Sequence, residues 1–387
     1  MLTVLHVAYS LAIAGPDVAG GAEHILTELD HALVRAGHHS VVVACQGSRV
    51  HGTLRATPAV TGPITDAVRE AAWAAHRRAI TEALDRWPVD VVHLHGLDFP
   101  HYLPPPGTPT LATLHLPPTW YPTDALDAGR PRTYLHCVSE SQRRACPPSP
   151  ALLPTIGNGV RLERFAPART RGRFVVALGR ICPEKGYHLA LDAARRAGAP
   201  MLLAGQLFGY EAHERYYHTE IVPRLDAARR FVGPVGGARK RWLLGAARCL
   251  LVPSLVSETS SLVAMEALAS GTPVVAFPAG ALPEIVEHGV TGFLVRDVDE
   301  MAAAIAAVGE LDSDACRAAA RERFSVDRMA RQYLERYAWL ARATPATAAV
   351  PAPAPREVPA APEVPAAPTS SPAPAGSFAH ASRWGER

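Results

Sequence analysis

The stretch ETSSLVAMEALASGTPVVAF, residues 258–277, places two carboxylates in one of the most apolar parts of the sequence. The apolar run CLLVPS (249–254) precedes it, and a run compatible with a helix ends at Gly271. A strand, a helix closed by glycine and a second strand in this order indicate a parallel α/β unit. We therefore expect Glu258 in the loop after the first strand and Glu266 two turns into the helix.

This loop and the helix that follows favour the binding of a phosphorylated sugar compound. Ligands of open parallel sheets bind beyond the carboxyl ends of the strands, and the N–H groups at a helix N-terminus favour an anion such as phosphate. We expect the hydroxyl of Ser260 or Ser261 to cap the helix. Glu258 and Glu266, about 12 Å apart along the helix axis, would accept hydrogen bonds from sugar and ribose hydroxyls. The alternative is a solvent-facing Glu266, although its apolar neighbours leave little polar face.

Apolar runs and amphipathic segments alternate along the chain, and the pattern occurs twice. In the first half we predict helices at 22–36 and 66–87 and five strands, VLHVAY (4–9), HSVVVAC (39–45), VDVVHLHG (89–96), PTLATLH (109–115) and TYLHCVS (133–139). In the second half we predict helices at 188–198 and 261–271 and five strands, RFVVALG (173–179), PMLLAGQ (200–206), RFVGPV (230–235), CLLVPS (249–254) and TPVVAF (272–277). Repeated βαβ units predict an α/β protein with parallel sheets.

The predicted organisation has two domains, a closing helix and a tail. Residues 1–160 form the first βαβ domain and residues 161–325 the second, and an amphipathic helix at 326–342 closes the fold. Residues 343–387 are rich in proline and alanine and are predicted to be disordered, because such a segment cannot bury a core. A linker, inert filler and a docking segment for a partner all remain open for this tail.

Composition excludes several classes of protein. With 387 residues and 48% hydrophobic residues, the chain can form two globular domains, and its net charge of +3 is too small to indicate nucleic-acid binding. Its six cysteines contain no C-x-x-C pair, which is typical of reduced thiols in a cytoplasmic protein rather than of disulfides or a zinc site. The start of the chain favours a buried strand over a signal peptide, because His6 interrupts an apolar run that no basic residue precedes.

The stretch at 258–276 resembles the E-x7-E signature of the retaining glycosyltransferases of family 4, which have the GT-B fold. Further segments resemble motifs of that family, in the family's order over about residues 1–340: GGAE (20–23), TLH (113–115), IGNGV (156–160), LGRICPEKG (178–186), FVGPV (231–235) and GALPEIVEHGVTGFLV (280–295). The resemblance implies two Rossmann-like βαβ domains that face each other across a cleft. It also implies that the second domain binds most of a nucleotide-diphosphate-sugar donor, while an unknown hydroxyl acceptor approaches from the first.

The resemblance implies roles for single positions in binding the donor. Glu266 would bind the ribose hydroxyls, and Glu258 would contact hydroxyls of the donor sugar. Arg180 and Lys185 would hold the diphosphate, and both residue types are natural phosphate ligands, although a solvated charged loop would have the same sequence. The remaining donor-binding positions lie in two loops: Gly20 and Gly21 in one, and Thr259, Ser260, Ser261 and Leu262 in the other.

Three further positions carry roles only through the resemblance. His115 would lie near the reacting sugar, although a lone histidine at the end of a strand is more often structural. Asn158 and Gly159 would shape the hinge between the domains. Another pair, His93 and His95, alternates along one strand, and we interpret it as packing rather than as a metal site because the sequence shows no third ligand.

The implied reaction retains the configuration of the sugar without a protein nucleophile. The acceptor hydroxyl attacks on the face from which the nucleoside diphosphate leaves, and the leaving phosphate oxygen takes the proton. The catalytic positions would be Glu258, Arg180, Lys185 and His115, and no metal ion or other cofactor is expected. The segment Asp297-Val-Asp299 has the shape of a metal-binding D-x-D motif, but we interpret it as a cap of the helix expected to start at Met301.

Other functions remain open. An epimerase acting on sugar nucleotides and a phosphorylase could share the fold, and a protein that binds the donor without catalysis could act as an interaction module through its tail. A weak peripheral contact with a membrane is another alternative, since the helix at 66–87 carries Arg69, Arg77, Arg78 and Arg86 beside Trp73 and Trp87. A solvated helix face explains the same residues, so the first expectation is a cytoplasmic protein.

Overall fold

The computed structural model describes residues 1–16, 18, 20–126, 129–166 and 171–342. It contains two parallel sheets with helices packed against them. The predicted tail, 343–387, lies outside the described residues. The two sheets have the Rossmann-like α/β architecture that the alternating sequence pattern predicts, so the predicted fold class is confirmed.

The first sheet has seven parallel strands in the order β3-β2-β1-β4-β5-β6-β7. Its strands are β1 (Thr3–Val7), β2 (His39–Cys45), β3 (Thr53–Thr57), β4 (Val91–Leu94), β5 (Thr110–Leu114), β6 (Thr133–Cys137) and β7 (Leu152–Leu153). Its helices are α1 (Gly21–Arg35), α2 (Asp66–Arg86), α3 (Thr123–Leu126) and α4 (Glu140–Ala145). The central strands are buried throughout because helices cover both faces, which explains their continuous apolar runs.

The second sheet has six parallel strands in the order β10-β9-β8-β11-β12-β13. Its strands are β8 (Val175–Leu178), β9 (Met201–Ala204), β10 (Arg229–Phe231), β11 (Leu250–Val252), β12 (Val274–Ala276) and β13 (Gly292–Leu294). The helices of this half are α5 (Tyr187–Arg196), α6 (Glu211–Tyr216), α7 (Gly237–Ala246), α8 (Leu262–Ala269), α9 (Leu282–Ile285), α10 (Val298–Ala307) and α11 (Ser313–Arg323). The strand order reverses between β8 and β11, and a reversal of this kind opens a crevice at the carboxyl ends of parallel strands.

The last described helix, α12 (Val326–Arg342), follows the second half in sequence but packs on the first sheet. The hydroxyl of Tyr337 lies 2.6 Å from Nδ1 of His93 on β4, and the hydroxyl of Tyr333 lies 3.3 Å from Oγ1 of Thr113 on β5. Both tyrosines are fully buried. The chain therefore crosses between the two halves twice, and α12 ties the end of the described chain to the first half.

Candidate active site

The carboxyl ends of β8 and β11 bring Lys185 and Glu258 into contact. Nζ of Lys185 donates a hydrogen bond to Oε1 of Glu258 over 2.6 Å. The Glu258 side chain is 10% exposed and that of Lys185 is 27% exposed, so the pair lies at the base of a crevice rather than on the open surface. The residue that the resemblance assigns to the diphosphate thus pairs with the carboxylate assigned to the sugar, and a bound diphosphate would compete for Lys185.

The Glu258 carboxylate and backbone are held by neighbouring loops. Oγ of Ser254, two residues after β11, donates to Oε1 of Glu258, and the backbone N–H of Ala281 donates to the Glu258 carbonyl over 2.8 Å. Gly280 has a φ of +60°, and a Cβ at this position would collide with the backbone N and O of Glu258. The site therefore needs glycine at position 280 for two reasons, its backbone conformation and the close approach of Glu258.

Glu266 is buried in α8 and pairs with a lysine from α7. Nζ of Lys240 donates to Oε1 of Glu266 over 2.6 Å, and the Glu266 side chain is 5% exposed. Burial raises the pKa of the Glu266 carboxyl, while the nearby Lys240 ammonium opposes that rise. The solvent-facing alternative for Glu266 is therefore wrong, and a buried carboxylate has the partner that its burial requires.

The N-terminus of α8 differs from the expected serine cap. Ser261 occupies the capping position, but its side chain makes no capping hydrogen bond, and α8 begins at Leu262. Glu266 is therefore the fifth residue of the helix, one turn rather than two turns from its start. Among the described residues, Oγ of Ser260 is buried without a hydrogen-bond partner. Because the first N–H groups of a helix have no intrahelical partners, α8 can direct its N–H groups at an anion.

The loop after β8 carries the two cationic side chains assigned to the diphosphate. Arg180 is exposed, whereas Lys185 is half-buried and paired as described above. The Arg180 guanidinium adds to the effect of burial in lowering the pKa of the His213 imidazole on α6, which places the arginine near that helix. The two cations therefore lie on one loop, with Arg180 exposed and Lys185 held by its ion pair with Glu258.

Two contacts cross the cleft beside the start of α8. Oγ1 of Thr259 donates to the carbonyl oxygen of His115 over 2.8 Å. Gly21 faces Leu262, since a Cβ built on the glycine would lie 3.8 Å from Cδ1 of the leucine. Gly20 occupies the capping position of α1. The glycine loop of the first half and the N-terminus of α8 therefore line the same crevice.

The predicted hinge lies where the two connections between the halves run side by side. The N–H of Val160 donates to the carbonyl of Phe324 over 2.8 Å, and Val160 also forms a parallel bridge with Ser325. A Cβ on Gly159 would lie 2.6 Å from the backbone oxygen of Ser325, so a larger residue would separate the connections. Asn158 is buried, and its Oδ1 has no partner among the described residues.

His115 ends a chain of three hydrogen-bonded histidines. Its Nε2 lies 3.2 Å from Nδ1 of His95, whose Nε2 lies 3.2 Å from Nδ1 of His6. Burial lowers the pKa of His115 to about 3 and that of His6 to about 4, and it holds the pKa of His95 well below 6.5. The three imidazoles are therefore neutral at neutral pH. In each of the two histidine–histidine hydrogen bonds, the N–H of one ring must point to the unprotonated nitrogen of the other.

The expectation that no third possible ligand accompanies His93 and His95 is wrong. His6 on β1 lies beside both, with one ring nitrogen from each residue within 4.8 Å of the others. However, Nδ1 of His93 lies 2.6 Å from the Tyr337 hydroxyl, and its Nε2 lies 2.6 Å from Oγ1 of Thr113. Because both nitrogens of His93 are used, this cluster is a buried hydrogen-bond network, and packing remains the better interpretation.

The segment Asp297-Val-Asp299 lies at the start of α10. Asp297 caps α10 by accepting from the N–H of Glu300 over 2.8 Å, as expected, although α10 begins at Val298 rather than at Met301. The side chain of Asp299 pairs with Arg196. The D-x-D segment therefore has a structural role in capping and ion pairing.

The helix considered for membrane contact, α2, has its tryptophans engaged with protein. Trp73 stacks on His101 with ring centroids 3.6 Å apart, and its Nε1 donates to Asp98 over 2.8 Å. The Arg86 guanidinium lies over the Trp87 ring at 4.9 Å. These contacts favour the solvated helix face.

Comparisons with known proteins agree with this geometry. A family model described as Glycosyltransferase Family 4 matches residues 19–164, and one described as Glycosyl transferases group 1 matches residues 172–310. The phosphatidyl-myo-inositol mannosyltransferase of Mycolicibacterium smegmatis is 30% identical over 355 residues, which are 84% of this chain and 88% of that protein. The chain belongs to glycosyltransferase family 4.

Other glycosyltransferases match over shorter lengths, and solved structures share the fold. A D-inositol 3-phosphate glycosyltransferase of Mycobacterium marinum is 35% identical, but the match covers 40% of this chain and 37% of that protein. The structure of AviGT4, a glycosyltransferase involved in avilamycin A biosynthesis, is 26% identical with a TM-score of 0.67 over 89% of this chain and 99% of that chain. Anabaena HepE in complex with UDP-glucose is 21% identical, with a TM-score of 0.68 over 87% of this chain and 100% of that chain, which shows the shared GT-B fold.

Several residues of this family 4 site were not singled out from the sequence. Lys240 lies in the basic run ARKRW, and nothing in that run indicates which side chain faces Glu266. Gly280 belongs to a quoted motif, but its contact with Glu258 depends on the fold. The carboxylate of Glu284 accepts from the N–H groups of Glu140 and Ser141 over 3.0 and 2.5 Å and so joins α9 to α4 across the cleft.

An arginine after the predicted hinge also has a partner across the cleft. Nε of Arg161 donates to the buried carboxylate of Glu28 on α1, and its Nη2 lies 2.8 Å from Nδ1 of His31. Arg161 therefore forms an ion pair between the two halves.

Within the described ranges, none of the helices has both the length and the apolar character needed to cross a bilayer.

Proposed function

We propose that the protein is a retaining glycosyltransferase that moves a sugar from a nucleotide-diphosphate-sugar donor to an acceptor hydroxyl. The observation that carries this proposal is the convergence of Glu258, Lys185 and the N-terminus of α8 in one crevice, with Glu266 one turn further along the helix. A diphosphate fits between the lysine and the free N–H groups. Glu266 then faces the ribose, and Glu258 faces the sugar.

The charges around the crevice suit a reaction in which a diphosphate leaves. As the bond between sugar and phosphate breaks, negative charge grows on the phosphate oxygen. Arg180, Lys185 and the N–H groups of α8 stabilise that charge, which is the form of catalysis that preorganised donors supply best. The leaving oxygen takes the proton of the acceptor hydroxyl. Glu258 and Glu266 have separate roles in binding and do not form the carboxylate pair of a glycosidase.

The rest of the site contributes to closure and to the environment of the reacting sugar. His115 lies at the end of β5, beside the bond from Thr259, so a neutral imidazole borders the space next to Glu258. Movement about Asn158 and Gly159 would open and close the cleft, and closure limits hydrolysis of the donor by water. We propose that the reaction needs no metal ion, since protein groups supply the positive charge.

The relatives support the choice of donor and acceptor candidates. The HepE complex contains UDP-glucose, so UDP-sugars are the first donors to test. Relatives named as inositol phosphate and phosphatidyl-inositol glycosyltransferases make inositol-containing hydroxyl compounds the first acceptors. If the acceptor carries a lipid, the enzyme would reach it by weak peripheral contact with the cytoplasmic membrane surface.

A thermal-shift screen of nucleotide sugars tests the proposal. The wild-type protein, Glu266→Ala and the surface control Glu287→Ala are melted with each nucleotide sugar and each free nucleotide. We expect one donor class to raise the melting temperature of the wild-type and control proteins but not that of Glu266→Ala. The absence of any shift in the wild-type protein would contradict the proposed donor site. Release of the nucleoside diphosphate only when an acceptor is present would then distinguish transfer from epimerisation.

A further inference from the structure

A second cluster of ligand-type side chains lies beside the donor site. Cys182 and Glu184 belong to the loop after β8, and His213 lies on α6. One side-chain ligand atom from each residue lies within 4.8 Å of the other two. Ligand atoms of a tetrahedral zinc ion lie roughly 3.3–3.8 Å apart, given metal–ligand bonds of about 2.0–2.3 Å. Side-chain movements of about 1 Å would therefore bring the three atoms onto one ion.

Two polar atoms of these side chains are buried and unsatisfied. Within the described part of the chain, Nδ1 of His213 and Oε2 of Glu184 are buried without a hydrogen-bond partner. The His213 residue is 6% exposed, and Cys182 is fully buried. Buried polar atoms normally have partners, and each exception calls for an explanation such as a bound ion. This cluster differs from the histidine network in the first sheet, where both nitrogens of His93 are already used.

We propose that Cys182, Glu184 and His213 bind a divalent cation of the zinc class. A thiolate, an imidazole and a carboxylate form a donor set that suits Zn²⁺ and does not suit Mg²⁺ or Ca²⁺, which require oxygen ligands. Three protein ligands leave the fourth tetrahedral position for water. The ion would join the loop after β8 to α6.

An ion at this cluster would have to displace the proton of the Cys182 thiol. Burial raises the pKa of the Cys182 thiol to about 11, and the Glu184 carboxylate adds to the rise, while Arg180 opposes it. Zn²⁺ binding breaks the S–H bond and forms a Zn–S bond, and the proton goes to solvent. Burial and, to a smaller extent, Arg180 lower the pKa of the His213 imidazole. Because Arg180 is exposed, its side chain can turn away from the ion.

The position of the cluster gives the ion a structural role. Along the loop, the two proposed ligands lie between Arg180 and Lys185, the cations assigned to the diphosphate. An ion at Cys182 and Glu184 would fix the loop that carries these cations. The inference does not depend on the donor or the reaction, and the ion takes no part in the proposed transfer.

Titration of the chelator-treated full-length protein with Co²⁺ tests the site, because a cobalt–thiolate bond gives a charge-transfer absorption band. We expect one Co²⁺ per chain, displacement of the band by Zn²⁺, and release of one proton per metal ion. Cys182→Ala should abolish the band, and Glu184→Gln and His213→Ala should each weaken binding at least tenfold. Far-ultraviolet circular dichroism of each variant without metal checks its folding, and Glu184→Gln preserves the shape of the half-buried side chain.

Another thiol pair provides the matched control. Sγ of Cys137 and Sγ of Cys146 lie 3.4 Å apart in the first half and could also bind a soft metal. Cys146→Ala should leave the cobalt band and the stoichiometry unchanged. The proposal is overturned if the wild-type protein gives no band or if the band persists in folded Cys182→Ala. Loss of the band in Cys146→Ala would assign the metal to the Cys137 and Cys146 pair instead.

Discussion

Oγ1 of Thr259 donates a hydrogen bond to the carbonyl oxygen of His115 over 2.8 Å, and this bond joins the two halves of the protein. Thr259 directly follows Glu258 and precedes the N-terminus of α8, whereas His115 follows β5 of the first sheet. The bond therefore brings Glu258, the proposed contact of the donor sugar, close to His115 of the opposite half. It connects closure of the cleft to the position of the site.

Removal of the Thr259 hydroxyl should favour the open form of the cleft. Thr259→Val keeps the shape of the side chain and loses one hydrogen bond, which contributes about 1 kcal/mol. A change of that size shifts the ratio of open to closed molecules about fivefold. Small-angle X-ray scattering should show a larger radius of gyration for Thr259→Val than for the wild type, and Thr259→Ser should match the wild type. Equal scattering for all three proteins would show that other contacts hold the cleft.

Lys240 should be needed mainly to compensate the buried charge of Glu266. Lys240→Ala leaves that carboxylate unpaired and should lower the free energy of unfolding by about 2 kcal/mol, below the usual effect for a fully buried pair because Lys240 reaches solvent. Urea unfolding of the two single variants and of Lys240→Ala/Glu266→Gln gives the coupling energy. The double variant should regain most of the loss, and the exposed neighbour variant Arg239→Ala should unfold like the wild type. A double variant as unstable as Lys240→Ala would contradict this pairing.

Gly280 should be needed for the position of Glu258, beyond its backbone conformation. Gly280 and Gly289 both have positive φ, but a Cβ at Gly280 would collide with the Glu258 backbone, whereas a Cβ at Gly289 would meet open space. Both alanine variants should lose about 1 kcal/mol of stability from backbone strain. Calorimetric titration should show a loss of donor affinity of roughly tenfold or more in Gly280→Ala alone, in line with the loss of a hydrogen bond to a charged group. Equal affinities in the two variants would contradict the role assigned to Gly280.

The buried histidines should lower the free energy of unfolding at acidic pH. Burial lowers the pKa of His6 to about 4 and of His115 and His136 to about 3, while the unfolded chain titrates near 6.5. Between these values the unfolded state binds more protons, so the free energy of unfolding falls as the pH falls below 6.5. Each of these histidines contributes up to about 1.4 kcal/mol per pH unit.

Urea unfolding at pH 7.5, 6.5 and 5.5 measures this slope. His136→Gln should reduce the slope by about one proton, and the exposed control His218→Gln should leave it closer to that of the wild type. A wild-type stability that does not change between pH 6.5 and 5.5 would contradict the neutral state assigned to these imidazoles.

The sequence predicted the parts of the fold that continuous apolar runs encode. HSVVVAC matches β2 at both ends, because a strand buried on both faces needs apolar residues throughout. Three edge strands were missed. The strand at Thr53–Thr57 mixes exposed and buried positions, and the strands at Leu152–Leu153 and Gly292–Leu294 have only two and three residues, so none of them shows a clear alternation in the sequence.

The site could be predicted in outline, whereas its pairings could not. Glu266 was recognisable because its neighbours are apolar, and the structure places it in the interior. Its partner Lys240 lies 26 positions away and depends on how α7 packs against α8. The serine cap was expected from local preference, but the loop at 258–261 follows the contacts of Thr259 and Gly280 instead. Pairings between distant elements depend on tertiary packing, which residue patterns do not record.

The most direct test of the account compares a nucleoside diphosphate with its sugar form on two glutamate variants. UDP and UDP-glucose, or the pair identified by the thermal-shift screen, are titrated into the wild type, Glu258→Gln and Glu266→Gln by calorimetry. We expect Glu266→Gln to weaken the binding of both ligands. Glu258→Gln should lower the affinity for the nucleotide sugar by roughly tenfold or more, as for a lost hydrogen bond to a charged group. The affinity of this variant for the nucleoside diphosphate should equal or exceed that of the wild type, since Lys185 is no longer paired with a carboxylate. Equal weakening of both ligands by Glu258→Gln would contradict the division of the donor between the two glutamates.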